Sequence, residues 1–180
     1  MGAFGRGGYR VCEHAKRCHG STRSASRRIF APKVIATRSG MTRVDFYVVK
    51  TAGAEARLSV AARLTEKALG RGHRIFINCE SAEQLAALDS YLWEFKATSF
   101  VPHETVSNNP DEQVVLGYEQ GPESHNDVLI NLALSPPSYF ARFERVAEVV
   151  TQDEASLEAL RSAWRHYRDR GYPLQKHELP

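Results

Sequence analysis

The sequence predicts a three-layer α/β/α domain built on a mostly parallel sheet. Three observations carry that expectation. Residues 42–79 read as strand, helix and strand in succession, a unit that sets its two strands side by side in parallel through a right-handed crossover. Strand-like and helix-like stretches keep alternating afterwards, with no repeat or low-complexity array beyond Met41. The chain is 180 residues long and 42% apolar, enough for one domain with a substantial core and too short for a second large one.

The first strand is TRVDFYVV, from Thr42, with TAGAE as the turn that follows it. Glu55 to Leu69 then sets Leu58, Ala61, Ala62, Leu64, Ala68 and Leu69 along one broad helical face, ended by Gly70 and Gly72. Arg74 to Cys79, RIFINC, returns as the second strand. Ser81 is the N-cap of a second helix, with Glu83 and Gln84 in its first turn, running through Leu85, Leu88 and Leu92 to Trp93 or Phe95. KATSFVPHE follows as an irregular segment carrying Phe100, Val101 and Pro102, and Ser107 to Glu112 as a loop. VVLGYE reads as a strand, Gly121 to Asn126 as a loop, and Asp127 to Leu134 as a central strand. Pro136 and Pro137 open a short helix through Phe140 and Phe143, and Ala147 to Val150 is a last short strand. Residues 41–173 form the domain on this reading, with 174–180 as an uninformative tail.

Charge divides the chain in two. Residues 1–40 hold nine basic groups against the single acid Glu13, a net of +8 within a chain whose total is +3, so the remaining 140 residues are net −5. The body is therefore not expected to bind DNA phosphates over a broad surface. The leader, rich in Gly, Ser and Arg, has neither helical nor strand period and is expected to be disordered. It has the composition of a transit peptide or a basic nucleic-acid arm. Met1 and Met41 are the two methionines, and Met41 stands directly before the first strand, so the leader is read as a start-site error with the true start at Met41. No run approaches the roughly 18 to 20 apolar residues of a membrane helix. Cys12, Cys18 and Cys79 are too few for a disulfide framework, which fits a reducing cytosol.

Recognised chemistry is sparse. Cys12, His14, Cys18 and His19 lack a structural zinc spacing, and His73, His166 and His177 have no metal-ligand spacing, so no metal or cofactor is expected. The turn VVKTAGAEAR has Gly53 alone and no phosphate-cradling glycine pattern, with Lys50 on the wrong side of it. His103 with Glu104 and His125 with Asp127 read as ordinary surface groups in loops, and Cys79 as a small buried hydrophobe.

The final helix, DEASLEALRSAWRHYRDRGY from Asp153 to Tyr172, is the most informative stretch. Leu157, Leu160, Trp164 and Tyr167 recur at three- and four-residue steps, with Arg161, Arg165 and Arg168 recurring beside them. Asp153 or Ser156 caps its start, and Arg168, Arg170 and Gly171 close its end. Taken alone, such stripes describe a core face with a solvated basic flank. Guanidinium forks beside an indole are also what a site for an acidic, apolar-ended peptide requires.

With VDFYVV, RIFINCES, Leu92–Trp93, SFVPHE, DVLINL, the phenylalanine stretch and the terminal RxxWRxYRxxG pattern in view, the body from Met41 to Pro173 resembles the chi subunit family of the bacterial DNA polymerase III holoenzyme. The resemblance implies a mononucleotide-binding-like fold without a phosphate loop. It implies a cytoplasmic, non-catalytic adaptor in DNA replication that pairs with the psi subunit, which attaches it to the clamp loader. It further implies capture of the acidic C-terminal tail of single-stranded DNA-binding protein. Arg161 matches the arginine of the tail-binding site, with Trp164, Arg165 and Arg168 as its aromatic and basic neighbours, while Trp93 and Phe100 match the psi-facing surface. Family members carry a further lysine one turn before that arginine, where this chain has Leu157 and Glu158, leaving Arg165 or Arg168 to carry more of the charge. The rival expectation is a small α/β nucleotide-dependent enzyme or hydrolase whose aromatic clusters are core.

Overall fold

The structure, a computed structural model, describes residues 40–95, 101–106 and 111–179, all within one compact unit from Arg38 to Pro180. The expectations placed on residues 1–39 and on Phe100 lie outside the described residues. Seven strands form one sheet: β1 (Arg43–Val49), β2 (Ile75–Cys79), β3 (Glu104–Thr105), β4 (Val114–Tyr118), β5 (Val128–Asn131), β6 (Arg145–Val150) and β7 (Leu174–Leu179). Their order is β3-β4-β2-β5-β6-β1-β7, and every pair is parallel. Three helices, α1 (Ala54–Leu69), α2 (Ala82–Glu94) and α3 (Glu154–Asp169), complete the three layers.

The two-residue period of each strand decides what faces which layer. Ile75 and Ile77 of β2, Val114 and Leu116 of β4 and Ile130 of β5 join Leu58, Ala61 and Ala62 of α1 and Leu88 and Leu92 of α2 in one core. Val44 and Phe46 of β1, Phe76 of β2, Leu129 of β5 and Val146 of β6 form the second core, against Phe140, Phe143, Ala163 and Tyr167 on the α3 side. β2 and β5 are buried on both faces, which explains their nearly unbroken apolar runs. At Gly117 in β4 an added Cβ would meet Val106 at 2.8 Å and Phe76 at 2.9 Å, so glycine is what lets these two side chains come this close to the strand.

Ser81 caps α2 as its sequence predicts, its hydroxyl accepting from the Gln84 amide at 3.3 Å. Several expectations about these elements need correction. The helix read from Pro136 to Phe143 is only a 3-10 turn, Phe140–Arg142, in which Phe140, Arg142 and Phe143 donate to carbonyls three residues back. Phe140 and Phe143, three apart, both enter the core, a spacing that one turn of three residues brings to the same face. Residues 174–179, read as a tail, are β7 and pair with β1 along its length from Val44 to Val49. His103 and His125 are not surface groups: they are 6% and 0% exposed. His125 Nε2 donates to the Glu112 carbonyl at 2.8 Å and its Nδ1 meets the Ser124 hydroxyl at 3.1 Å, while burial together with nearby Arg74 lowers its pKa.

Candidate functional site

The roll of α3 about its axis is fixed from the buried side. Ser156, Ala163 and Tyr167 are its buried residues, and at 3.6 residues per turn Trp164 then falls at the edge of that face with Arg161, Arg165 and Arg168 beyond it in solvent. Asp153 is the N-cap residue, yet its carboxylate does not cap its own helix. It accepts instead from the Thr151 hydroxyl at 2.7 Å and from the Gly53 amide at 3.1 and 3.2 Å, contacts that lower its pKa. Ser156 likewise turns away from capping, its hydroxyl accepting from the Thr151 amide at 3.0 Å. The far end closes as the sequence predicts. Gly171, at φ +80°, donates to the Arg168 carbonyl, and Tyr172 donates to that of Tyr167, the two bonds that stop a helix with a left-handed residue.

Beside this helix lies an open hollow of 380 Å³ lined by Leu160, Arg161, Trp164, Arg165, Arg168 and Lys176. All four sequence-predicted residues of the arginine site are therefore brought together. Trp164 is half-buried, its ring 5.0 Å from that of Phe46 on β1, so the indole is braced by the sheet while one side is left to the hollow. Arg168 forms an ion pair with neighbouring Asp169 at 3.0 Å, both groups being exposed. Among the described residues neither Arg161 nor Arg165 has an ion-pair or hydrogen-bond partner, and both are exposed. Guanidinium groups in that condition are available for bidentate pairing with a carboxylate, and Leu160 with Trp164 offers apolar surface alongside.

Lys176 was not legible as part of this site. It stands on β7 opposite Phe46, and the strand period puts it on the α3 face of the sheet. Its ammonium contacts Glu178, two residues on, at 2.8 Å.

Beneath the helix runs a buried polar network. Tyr167 donates to Glu148 Oε1 at 2.6 Å, Asn131 to Glu148 Oε2 at 2.9 Å, Asn78 to Asn131 at 2.8 Å and Tyr139 to Asn78 at 2.8 Å. Burial pushes the Glu148 carboxyl up to about 7 against the opposing hydrogen bonds of Tyr167 and Asn131 and the charge of Arg57. Burial, then the Glu148 carboxylate, raises the Tyr167 hydroxyl. Arg57 of α1 donates to the Leu132 carbonyl at 3.1 Å, to Thr151 at 3.3 Å and to Ser156 at 2.8 Å, tying α1 to the start of α3.

A larger cleft of 740 Å³ opens on the α1 face, lined in part by Arg43, Tyr47, Arg145 and His177. Two of its guanidinium groups share one acid. Asp45, fully buried, accepts from Arg145 at 2.5 Å, His177 at 3.0 Å and Arg43 at 3.3 Å, and Tyr47 stacks on His177 at 4.9 Å. The side chains of Lys67 and Arg71 also line this cleft without a hydrogen-bond or ion-pair partner among the described residues, so neither size nor unpaired charge alone selects the site; the α3 hollow is the one that sets such guanidinium groups beside an indole.

Trp93, near the end of α2, is 58% exposed, with its ring 5.3 Å from that of His103. The α2 core contacts lie on the sheet face opposite α3, so the two aromatic surfaces belong to different layers. Burial pushes the Cys79 thiol up to about 12, the behaviour of a packed side chain rather than a nucleophile. Among the described residues there is no cluster of three or more His, Cys, Asp and Glu side chains fit for a metal, and no helix long and apolar enough to cross a membrane.

Residues 41–175 match the family model described as DNA polymerase III chi subunit, HolC. The chain is 44% identical over 140 residues to the DNA polymerase III subunit chi of Pseudomonas aeruginosa, spanning 78% of this chain and 99% of that protein. It is 31% identical over 106 residues to the subunit of the same name from Escherichia coli K12, spanning 57% of this chain and 72% of that one. The Haemophilus influenzae subunit chi is 28% identical over 120 residues, or 64% of this chain and 82% of that one.

Proposed function

The chain belongs to the DNA polymerase III chi subunit family, and from that premise we propose that it serves DNA replication as a non-catalytic adaptor of the bacterial holoenzyme. In this reading it pairs with the psi subunit, through which it reaches the clamp loader, and it binds the acidic C-terminal tail of single-stranded DNA-binding protein. The observation that carries the reading is the α3 hollow. Exposed Arg161 and Arg165 stand without carboxylate partners among the described residues, next to an indole braced from below. Arg161 takes the terminal carboxylate in a bidentate pair, the last apolar side chain enters beside Trp164 and Leu160, and Arg165 and Arg168 attract the upstream acids.

The psi-facing surface in this reading centres on Trp93, with Phe100 as its sequence-predicted companion. A tryptophan more than half exposed on a helix that buries Leu88 and Leu92 is available as an anchor for a partner's apolar surface.

Titration of the purified protein with an acidic peptide ending in Pro-Phe, and separately with nucleotide, tests the assignment. Peptide binding that weakens with salt and disappears in Arg161→Ala is the expected result, with no response to nucleotide. Nucleotide binding without peptide binding would return the chain to the small-enzyme reading.

A further inference from the structure

The cations lining the α3 hollow come from two elements, three from the helix and one, Lys176, from the edge strand β7. We propose that the hollow grips an acidic C-terminal peptide from both sides, Lys176 binding a carboxylate upstream of the terminus and Glu178 occupying Lys176 until the peptide arrives; this rests on the tail-binding reading above.

The placement follows from register. Lys176 pairs with Phe46 and Glu178 with Val48, so both side chains share the sheet face on which Phe46 supports Trp164. The lining of the hollow has four cations and no acid, which suits a ligand carrying more than one negative charge. Division of labour follows from shape. A guanidinium fork fits the planar terminal carboxylate, whereas an ammonium on a flexible stem is a point charge that follows a less fixed side-chain acid. The turn before Arg161 offers Leu157 and Glu158, so it supplies no cation on the helix side, and Lys176 faces the hollow from the strand.

Glu178 gives the contact its selectivity. It lies 2.8 Å from the ammonium, and the two side chains are 67% and 50% exposed, so an incoming carboxylate replaces a weak, water-screened pair with an equivalent one closer to the arginines. A peptide without upstream acids leaves Lys176 with Glu178 and gains nothing from the strand side.

The experiment measures binding of two peptides ending in Pro-Phe to the full chain, one with upstream acids and one with those acids replaced by amides, for wild type, Lys176→Gln, Glu178→Gln and Arg161→Ala. Lys176→Gln is expected to weaken the acidic peptide about two- to fivefold and Glu178→Gln to tighten it by a similar factor, as for one exposed ion pair. Neither substitution should alter binding of the amide peptide, and both residues are exposed enough that thermal unfolding should be unchanged. If Arg161→Ala abolishes binding while Lys176→Gln and Glu178→Gln match wild type for both peptides, the strand-side contact is overturned and tail binding stands. If wild type binds neither peptide, both fall. Equal binding of a single-stranded oligonucleotide, lost in Lys176→Gln, would also overturn the proposal by making phosphate the ligand.

Discussion

Tyr167 of α3 donates a 2.6 Å hydrogen bond to Oε1 of Glu148 on β6, and both side chains are buried. That bond joins the arginine helix to the sheet at one point and helps to fix its roll, because a helix that keeps Tyr167 inward must keep Arg161, Arg165 and Arg168 outward. The ring of Tyr167 is packed edge-on against Phe140 at 4.9 Å, so the apolar part of the contact survives loss of the hydroxyl.

Tyr167→Phe isolates the hydrogen bond. It leaves a buried carboxyl one donor short, and a loss of about 1–3 kcal/mol in unfolding free energy is expected. Denaturant unfolding measures it. An unchanged midpoint would mean that the helix is held by packing alone.

Glu148 makes stability depend on pH in a definite direction. Its pKa is raised in the folded state from 4.5 to about 7, first by burial. Below the lower value both folded and unfolded chains hold the proton. Between the two values the folded chain retains a proton that the unfolded chain has lost, so this contribution to stability falls as pH rises through the window and levels off above it. The drop is on the order of 3 kcal/mol. Glu148→Gln keeps one acceptor and one donor toward Asn131 and Tyr167 but no ionisable proton, and urea midpoints across the window should lose this downward slope. A variant whose pH profile parallels wild type would show that Glu148 does not titrate there.

The arginine helix was legible because both of its stripes repeat within one element, at steps that need no knowledge of the rest of the chain. The alternating strands and helices, and with them the three-layer architecture, were legible for the same reason. β7 was not. LQKHEL has apolar residues only at its ends, as suits an exposed edge, and what makes it a strand is its pairing with β1, about 130 residues earlier in the chain. Lys176 went unseen with it. Glu148 was hidden by its neighbours, since AEVV reads as an apolar strand and the acid acquires its role from Asn131 and Tyr167 on other elements. His103 and His125 mislead in the same way: polar residues in loops, which the fold nevertheless buries.

Arg57 is a further consequence of tertiary placement. One guanidinium satisfies the Leu132 carbonyl and the hydroxyls of Thr151 and Ser156, joining α1, the end of β5 and the first turn of α3. Arg57→Met fills similar space and strands those acceptors, so a loss of about 2–4 kcal/mol is expected. The mechanism shows in a double-mutant cycle with Ser156→Ala, which should be less than additive. Full additivity would place the damage elsewhere.

Trp93 and Arg161 stand on opposite sides of the sheet. α2 presents Trp93 from the layer that packs on Ile75 and Ile77, whereas α3 presents Arg161 from the layer that packs on Phe46 and Val146. The sheet stands between them, and among the described residues the two cores share no side chain. The proposed adaptor role requires both partners to be held at once, and surfaces on opposite layers allow that without competition. Trp93→Ala should therefore weaken psi pairing by at least about 1 kcal/mol, as loss of an aromatic anchor does, and leave peptide affinity unchanged. Arg161→Ala should do the reverse, and peptide affinity should be the same with psi bound or absent. Co-purification with psi and peptide titration of both variants, alone and combined, read the two effects separately. Equal loss of both partners in either single variant would mean that the two surfaces are one.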